Sequence, residues 1–241
     1  MPNRRKSVTL LVLALSVVFL VPGSAARAGG GKDSPADEIK RVDNAVRVLQ
    51  EMTAEADKSI PVKLLRDCAG IAIIPDVIKA AYIIGGRHGK GVFLVRNEAG
   101  AWSDPVFVGL TGGSVGWQVG VQSADIILVF MTPRSIDNLK KGKFTLGADA
   151  GIAAGPLGRT AEASTDVELK AEIYSYSRSR GLFAGLSLQG ASFYVDAKAD
   201  QNFYGIDKVS AQTILDGNVG RVPEAAGTLR AALEKFSKSP N

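Results

Sequence analysis

Residues 144–190 read FTLGADAGIAAGPLGRTAEASTDVELKAEIYSYSRSRGLFAGLSLQG. Their first part alternates: Phe144, Leu146, Ala148, Ala150 and Ile152 fall on one side, and Thr145, Gly147, Asp149 and Gly151 on the other. A period of two is that of a half-buried strand. Gly155-Pro156-Leu157-Gly158 interrupts it with turn residues, since proline presets φ and glycine accepts strained angles. Alternation returns at Leu182, Ala184, Leu186 and Leu188. Glycine weakens a strand, so repeated strand glycines imply tight curvature or the close approach of another backbone or a ligand. The stretch predicts the centre of a curved, antiparallel, glycine-punctuated sheet. It holds no catalytic constellation.

Upstream, Ala69 to Pro75 is a short apolar run typical of a buried strand. Ala80–Gly85 and Gly91–Val95 flank Gly86-Arg87-His88-Gly89-Lys90, which predicts a hairpin with a basic connection. Asn97–Gly100 reads as a turn, and a strand is expected from Trp102 through Val108. VGWQVGVQ (115–122) alternates, and Ile126–Met131, apolar on both faces, predicts a central strand. Further strands are expected over Val167–Tyr176 and Ala191–Ala197.

Helical spacing occupies the two ends. Ser34-Pro35-Ala36-Asp37 carries the signals of a helix start. Ile39, Val42, Val46 and Leu49 then recur at steps of three and four, predicting an amphipathic helix from Pro35 to about Glu55. Short helices are expected near Pro61, over Pro133–Lys140 and around Val209–Ile214. A longer one after Pro223 carries Ala226, Leu229, Leu233 and Phe236. The fold class is therefore α+β: a curved antiparallel glycine-rich β-sheet, barrel-like, with amphipathic helices at the N- and C-terminal ends.

Residues 1–28 have the pattern of a signal peptide. Arg4-Arg5-Lys6 form a basic start, Leu10–Val21 an apolar run, and Ala26-Arg27-Ala28 a cleavage site. Export to the periplasm or envelope is expected, followed by a flexible tail over 29–34 and one domain over 35–241. The chain has 29 basic and 24 acidic residues. Four of the basic ones and none of the acids lie in the leader, so the remainder is nearly neutral. That argues against a nucleic-acid partner.

His88 is the only histidine and Cys68 the only cysteine. Multi-histidine and cysteine-rich metal sites are thus excluded, and no disulfide can form within the chain. Cys68, in LLRDCAGIAII, reads as a buried core residue. The GGRHGKG loop fails as a phosphate loop, because Ile84 replaces the first glycine and Gly91 the Ser/Thr. No enzyme activity, cofactor or metal is expected. What remains is a set of basic residues suited to phosphate groups: Arg87 and Lys90 in one turn, Arg159 after another, and Arg178 and Arg180 in a third. Trp102, Phe193 and Tyr194 are candidate interfacial aromatics, with core packing the simpler reading.

These motifs resemble the SYLF domain family of lipid-binding modules. The carriers are AGIAIIP (69–75), IGGRHGKGVFLV (84–95), Trp102-x-x-Pro105, GWQVG (116–120), GKFTLGADAGIAAGPLGR (142–159), SYSRSRGLFAGLSLQG (175–190) and Asn202-Phe203-Tyr204-Gly205. The resemblance spans Ile39 to Asp216. It implies a β-rich fold with N-terminal helices and binding to phospholipid membranes. It also implies a lipid surface on the first helix: Ile39, Val42, Val46 and Leu49, with Lys40, Arg41 and Arg47 beside them. Eukaryotic members link to actin through segments outside the shared core. With an export signal and no SH3 or FYVE module, this chain is not expected to have actin as a partner. The expected function is peripheral binding to anionic phospholipid membranes. The alternative is a structural or protein-interaction module of the envelope that does not touch lipid.

Overall fold

The computed structural model describes residues 34–54, 59–97, 99–158, 171–179, 182–183 and 188–238. In chain order the elements are α1 (Pro35–Thr53), α2 (Val62–Asp67), β1 (Gly70–Val95), β2 (Val106–Phe130), α3 (Pro133–Lys140), β3 (Lys143–Thr145), β4 (Ile152–Ala154), β5 (Ile173–Ser179), β6 (Leu182–Phe183), β7 (Ser192–Val195), α4 (Ala197–Tyr204), α5 (Ala211–Leu215) and α6 (Glu224–Ser237). The start of α1 is fixed by its cap: Ser34 N–H and Oγ–H both donate to Asp37 Oδ2, at 3.1 and 2.8 Å. Thr132 caps α3 in turn, its side chain accepting from Ser135 N–H, with Pro133 at the first helical position.

Among the described residues seven strands form one sheet centred on β2. β1 runs along one side of β2; on the other side β7 pairs with Val108–Thr111 and β5 with Asp125–Phe130. β3 flanks β7, and β4 and β6 flank β5. Of these ladders only β4–β5 is parallel. The sheet curls into a half-barrel with helices at both ends, the α+β class expected. Its interior holds phenylalanines from four strands. Phe93 meets Phe130 with ring centroids 5.0 Å apart, and Phe144 meets Phe193 at 5.5 Å.

The expected hairpin at Gly86–Lys90 is corrected. β1 is one strand of 26 residues laddered against β2 from Gly70↔Phe130 to Phe93↔Val106, and Arg87, His88 and Gly89 pair with Gly112, Thr111 and Leu110. Register shifts between Ile74 and Val77 and between Ala81 and Ile83 kink the ribbon. β1 doubles back until its two ends touch. Arg96 N–H donates to Ala69 O at 2.8 Å. The Ile74 and Val77 side chains reach Gly89, and a Cβ on Gly91 would strike the Ile73 carbonyl. Gly89 and Gly91 admit the other half of their own strand, which is why a glycine-rich run resembling a turn is not one.

Two further expectations change. The alternation from Phe144 to Ile152 is not one strand: Gly147 takes φ +84°, and Asp149 Oδ2 accepts Thr145 N–H at 2.6 Å, closing a tight turn between β3 and β4. The segment after Val195 is helical, α4, capped by Asp196 and ended by Gly205 at φ +66°. The parts of the expected strands that cover 167–170 and 184–187 lie outside the described residues.

Candidate interaction surface

On α1 the apolar stripe faces inward. Val42 and Leu49 are completely buried together with Ala45, Val48 and Met52, and Val46 packs against the same core. Leaving water is worth about 1.5–3 kcal/mol for each large apolar side chain. The stripe assigned to a bilayer is therefore occupied by the protein's own sheet and by α6. Ile39 alone of the four is exposed, at 40%.

The basic candidates separate in the same way. Arg41 forms an ion pair with Glu38 at 3.0 Å and lies 3.7 Å from Asp196, with its guanidinium 5.3 Å from the Phe107 ring centroid. Glu38 and Asp200 are both completely buried. Asp200 Oδ1 accepts Phe107 N–H at 2.8 Å, while Oδ2 has no hydrogen-bond partner. Burial above all, with Asp196 and Glu38 nearby, pushes the Asp200 carboxyl up to about 8, against the Phe107 hydrogen bond and Arg41. Asp196 Oδ1 also accepts Ala199 N–H at 3.2 Å, capping α4. Beside this cluster Tyr204 Oη–H donates to Pro105 O at 2.7 Å, and Asp104 pairs with Arg230 of α6 at 3.0 Å. Arg41 is thus part of a clasp joining α1 to β2 and α4, not a headgroup ligand at the surface.

Arg47 and Arg178 do come together, through Glu51, at 3.0 and 3.1 Å. Asp125 stands opposite Arg178 in the β2–β5 ladder, and its Oδ1 accepts Asp76 N–H at 3.0 Å. Two arginines here face three carboxylates, so the patch has no net attraction for an anion. All these groups are partly exposed, so Glu51→Gln is expected to cost less than about 1 kcal/mol, seen as a melting-temperature drop of a few degrees at most that fades in high salt.

Lys40 is exposed on α1. Arg159 and Arg180 lie outside the described residues. Trp102 and Phe193 are core residues, Trp102 beneath the Arg96 guanidinium at 4.3 Å, and half-buried Tyr194 seats its ring over Gly109. Cys68 is buried, and burial pushes its thiol up to about 12, which leaves no thiolate for chemistry. His88 is exposed opposite Thr111. Among the described residues no three His, Cys, Asp or Glu side chains are grouped to hold a metal.

Lys79, Arg87 and Lys90 lie on β1, each partly buried. Val77 meets Gly89, so residues 78–88 and the β2 residues paired with them run out beyond the point where the strand closes on itself. Five residues out and five back carry the tip roughly 15 Å from that point. Ile78 is 52% and Val121 74% exposed, the largest values among the exposed bulky apolar side chains of the described residues. Sequence reasoning did not single out Ile78, Lys79 or Val121.

A profile of the Ysc84 family, described as Las17-binding protein actin regulator, matches residues 111–236. SH3 domain-containing YSC84-like protein 1 of Xenopus laevis is 34% identical over 200 residues, covering 80% of this chain and 59% of its own length. LAS seventeen-binding protein 3 of Saccharomyces cerevisiae is 36% identical over 182 residues, covering 74% of this chain and 39% of its own length. Protein YSC84 of the same yeast is 37% identical over 182 residues, with shares of 74% and 38%. The chain thus spans less than two thirds of the length of these relatives. The expectation that actin is no part of the picture is overturned: the family is described as an actin regulator, and a yeast relative is named for binding Las17.

Proposed function

This chain belongs to the Ysc84 family, and from that membership we propose that it is a non-enzymatic protein-interaction module whose partner is of the actin-regulatory kind. The observation that carries the reading is the 36% identity, over 74% of the chain, to a protein named for binding Las17. The geometry favours it over peripheral lipid binding. α1 spends its apolar stripe on the core, and Arg41, Arg47 and Arg178 are each held by the protein's own carboxylates.

Co-sedimentation of the protein with filamentous actin, run beside sedimentation with anionic phosphatidylglycerol vesicles, tests this. Filament binding with weak or absent vesicle binding is the expected result. Vesicle binding without filament binding would overturn it in favour of the lipid reading. An export leader would separate the folded part from a cytosolic filament, so the N-terminus of the protein recovered from cells bears on the same question. A chain cleaved after Ala28 in an extracytoplasmic fraction removes actin as the partner and leaves an envelope interaction module.

A further inference from the structure

We propose that Glu38 and Asp200 form a proton-operated latch between α1 and α4. The buried pair holds one proton while the latch is closed. Losing it in alkaline solution frees α4 and the start of α1 from β2, with the rest of the sheet still folded. The inference goes beyond the interaction-module reading and does not depend on it.

The latch is built around one residue of β2. Phe107 O accepts Asp196 N–H at 2.8 Å, and Phe107 N–H donates to Asp200 Oδ1 at 2.8 Å, so α4 hangs from a single backbone unit. The Phe107 ring meets Phe203 of α4 with centroids 5.0 Å apart, and its other contact is the Arg41 guanidinium of α1 at 5.3 Å. Arg41 reaches Glu38 on its own helix and Asp196 ahead of α4. Joining the two helices at Phe107 leaves a carboxyl from each completely buried, and Asp200 Oδ2 has no hydrogen-bond partner.

The charges there do not balance. Asp200 is faced by Glu38 and Arg41 from α1 and by Asp196 before α4. Next to them Asp104 pairs with Arg230 of α6, and Tyr204 Oη–H donates to Pro105 O, burial pushing its hydroxyl further above the ordinary tyrosine value. With one proton on the buried pair, Arg41 faces two carboxylates; without it, three. A buried charge left uncompensated is strongly unfavourable. Burial above all holds the Asp200 proton up to about 8, and two coupled carboxyls titrate as a pair. Past that point the remaining relief is to let water in.

Opening can stay local. α4 has eight residues between its Asp196 cap and Gly205 at φ +66°. Glu38 and Arg41 lie in the first two turns of α1, whereas Ala45, Val48 and Leu49 further along are completely buried, as are Ile126–Phe130 of β2. A helix end and a short helix open at a fraction of the cost of unfolding the core.

Hydrogen exchange of the full protein, read by mass spectrometry at pH 6 to 9 and expressed relative to intrinsic exchange at each pH, tests this. Up to about pH 8 the closed latch binds one proton more than the open one. The opening constant therefore rises tenfold per pH unit, about a hundredfold from pH 6 to 8. Residues 35–42 and 197–204 are expected to lose protection by that factor. Ile126–Phe130 is expected to stay at least about tenfold better protected than they are at pH 9. Asp200→Asn keeps an acceptor for Phe107 N–H and cannot ionise, so its latch segments are expected to hold constant protection. Three results would overturn the latch: wild-type protection independent of pH, equal protection of latch and core at pH 9, or an Asp200→Asn protein that still loses protection. Were that variant not to fold, Glu38→Gln replaces it. Removing the neighbouring carboxylate lowers the pH at which Asp200 ionises, so the loss should level off at lower pH than in wild type, and an unchanged profile would overturn the proposal.

Discussion

Gly91→Ala is expected to cost about 3 kcal/mol or more, a melting-temperature drop of roughly 10 °C for a domain of this size. The reason is backbone against backbone. An added Cβ would collide with the Ile73 carbonyl oxygen and lie 2.8 Å from Ile74 Cα. Neither atom can rotate away as a side chain would. Relief requires separating the two halves of β1, which are fixed by the Ala69–Arg96 hydrogen bond and by fully buried Ile73, Ile74, Val92 and Phe93. Gly113→Ala is the control: it lies in the same ribbon with open space where its Cβ would be. Its expected effect is neutral to slightly stabilising, because alanine reduces the freedom of the unfolded chain. Thermal melts of the two variants compare them. Equal melting temperatures would mean that β1 does not close on itself at Gly91.

The second large effect is on pH dependence. Folded Asp200 holds its proton to about pH 8, and the unfolded chain releases it near 3.9. Between these values the folded state binds the extra proton, so this residue makes stability fall as pH rises, with a limiting slope of about 1.4 kcal/mol per pH unit, and its contribution levels off above about 8. Asp200→Asn keeps an oxygen for Phe107 N–H and cannot ionise. In the field of Glu38 and Asp196 an amide group replaces a second carboxylate oxygen that has no hydrogen-bond partner. The variant is expected to be more stable than wild type at neutral pH and to lose most of the gain near pH 4. Urea unfolding from pH 4 to 9 reads this directly. Parallel stability curves for the two proteins would show that Asp200 is already ionised in the folded state.

Much of the architecture can be read from local patterns. α1 and α3 carry proline and capping signals at their starts, and Ile126–Phe130 is apolar on both faces because both are covered, all five residues being completely buried. The errors share one cause. Glycine clusters at 86–91 and alternation across Gly147 were read by local rules, whereas close contact between distant backbone decides the first and a positive φ the second. The buried acids were harder still. Glu38 lies on a helix otherwise polar at its start, and Asp200 is defined by a hydrogen bond to Phe107, 93 positions away. Nothing adjacent in the sequence marks either as interior.

The packing of α6 against α1 places the last helix of the described residues on the first. An emerging polypeptide presents α1 long before its cover exists, and β1 cannot settle before β2 follows it. The contacts that complete this domain join the two ends of the folded chain, so the search for them dominates the time to reach the native state. A C-terminal truncation within α6 therefore uncovers the first helix rather than trimming an edge, and a nascent chain would be held longest by whatever binds unfolded apolar segments.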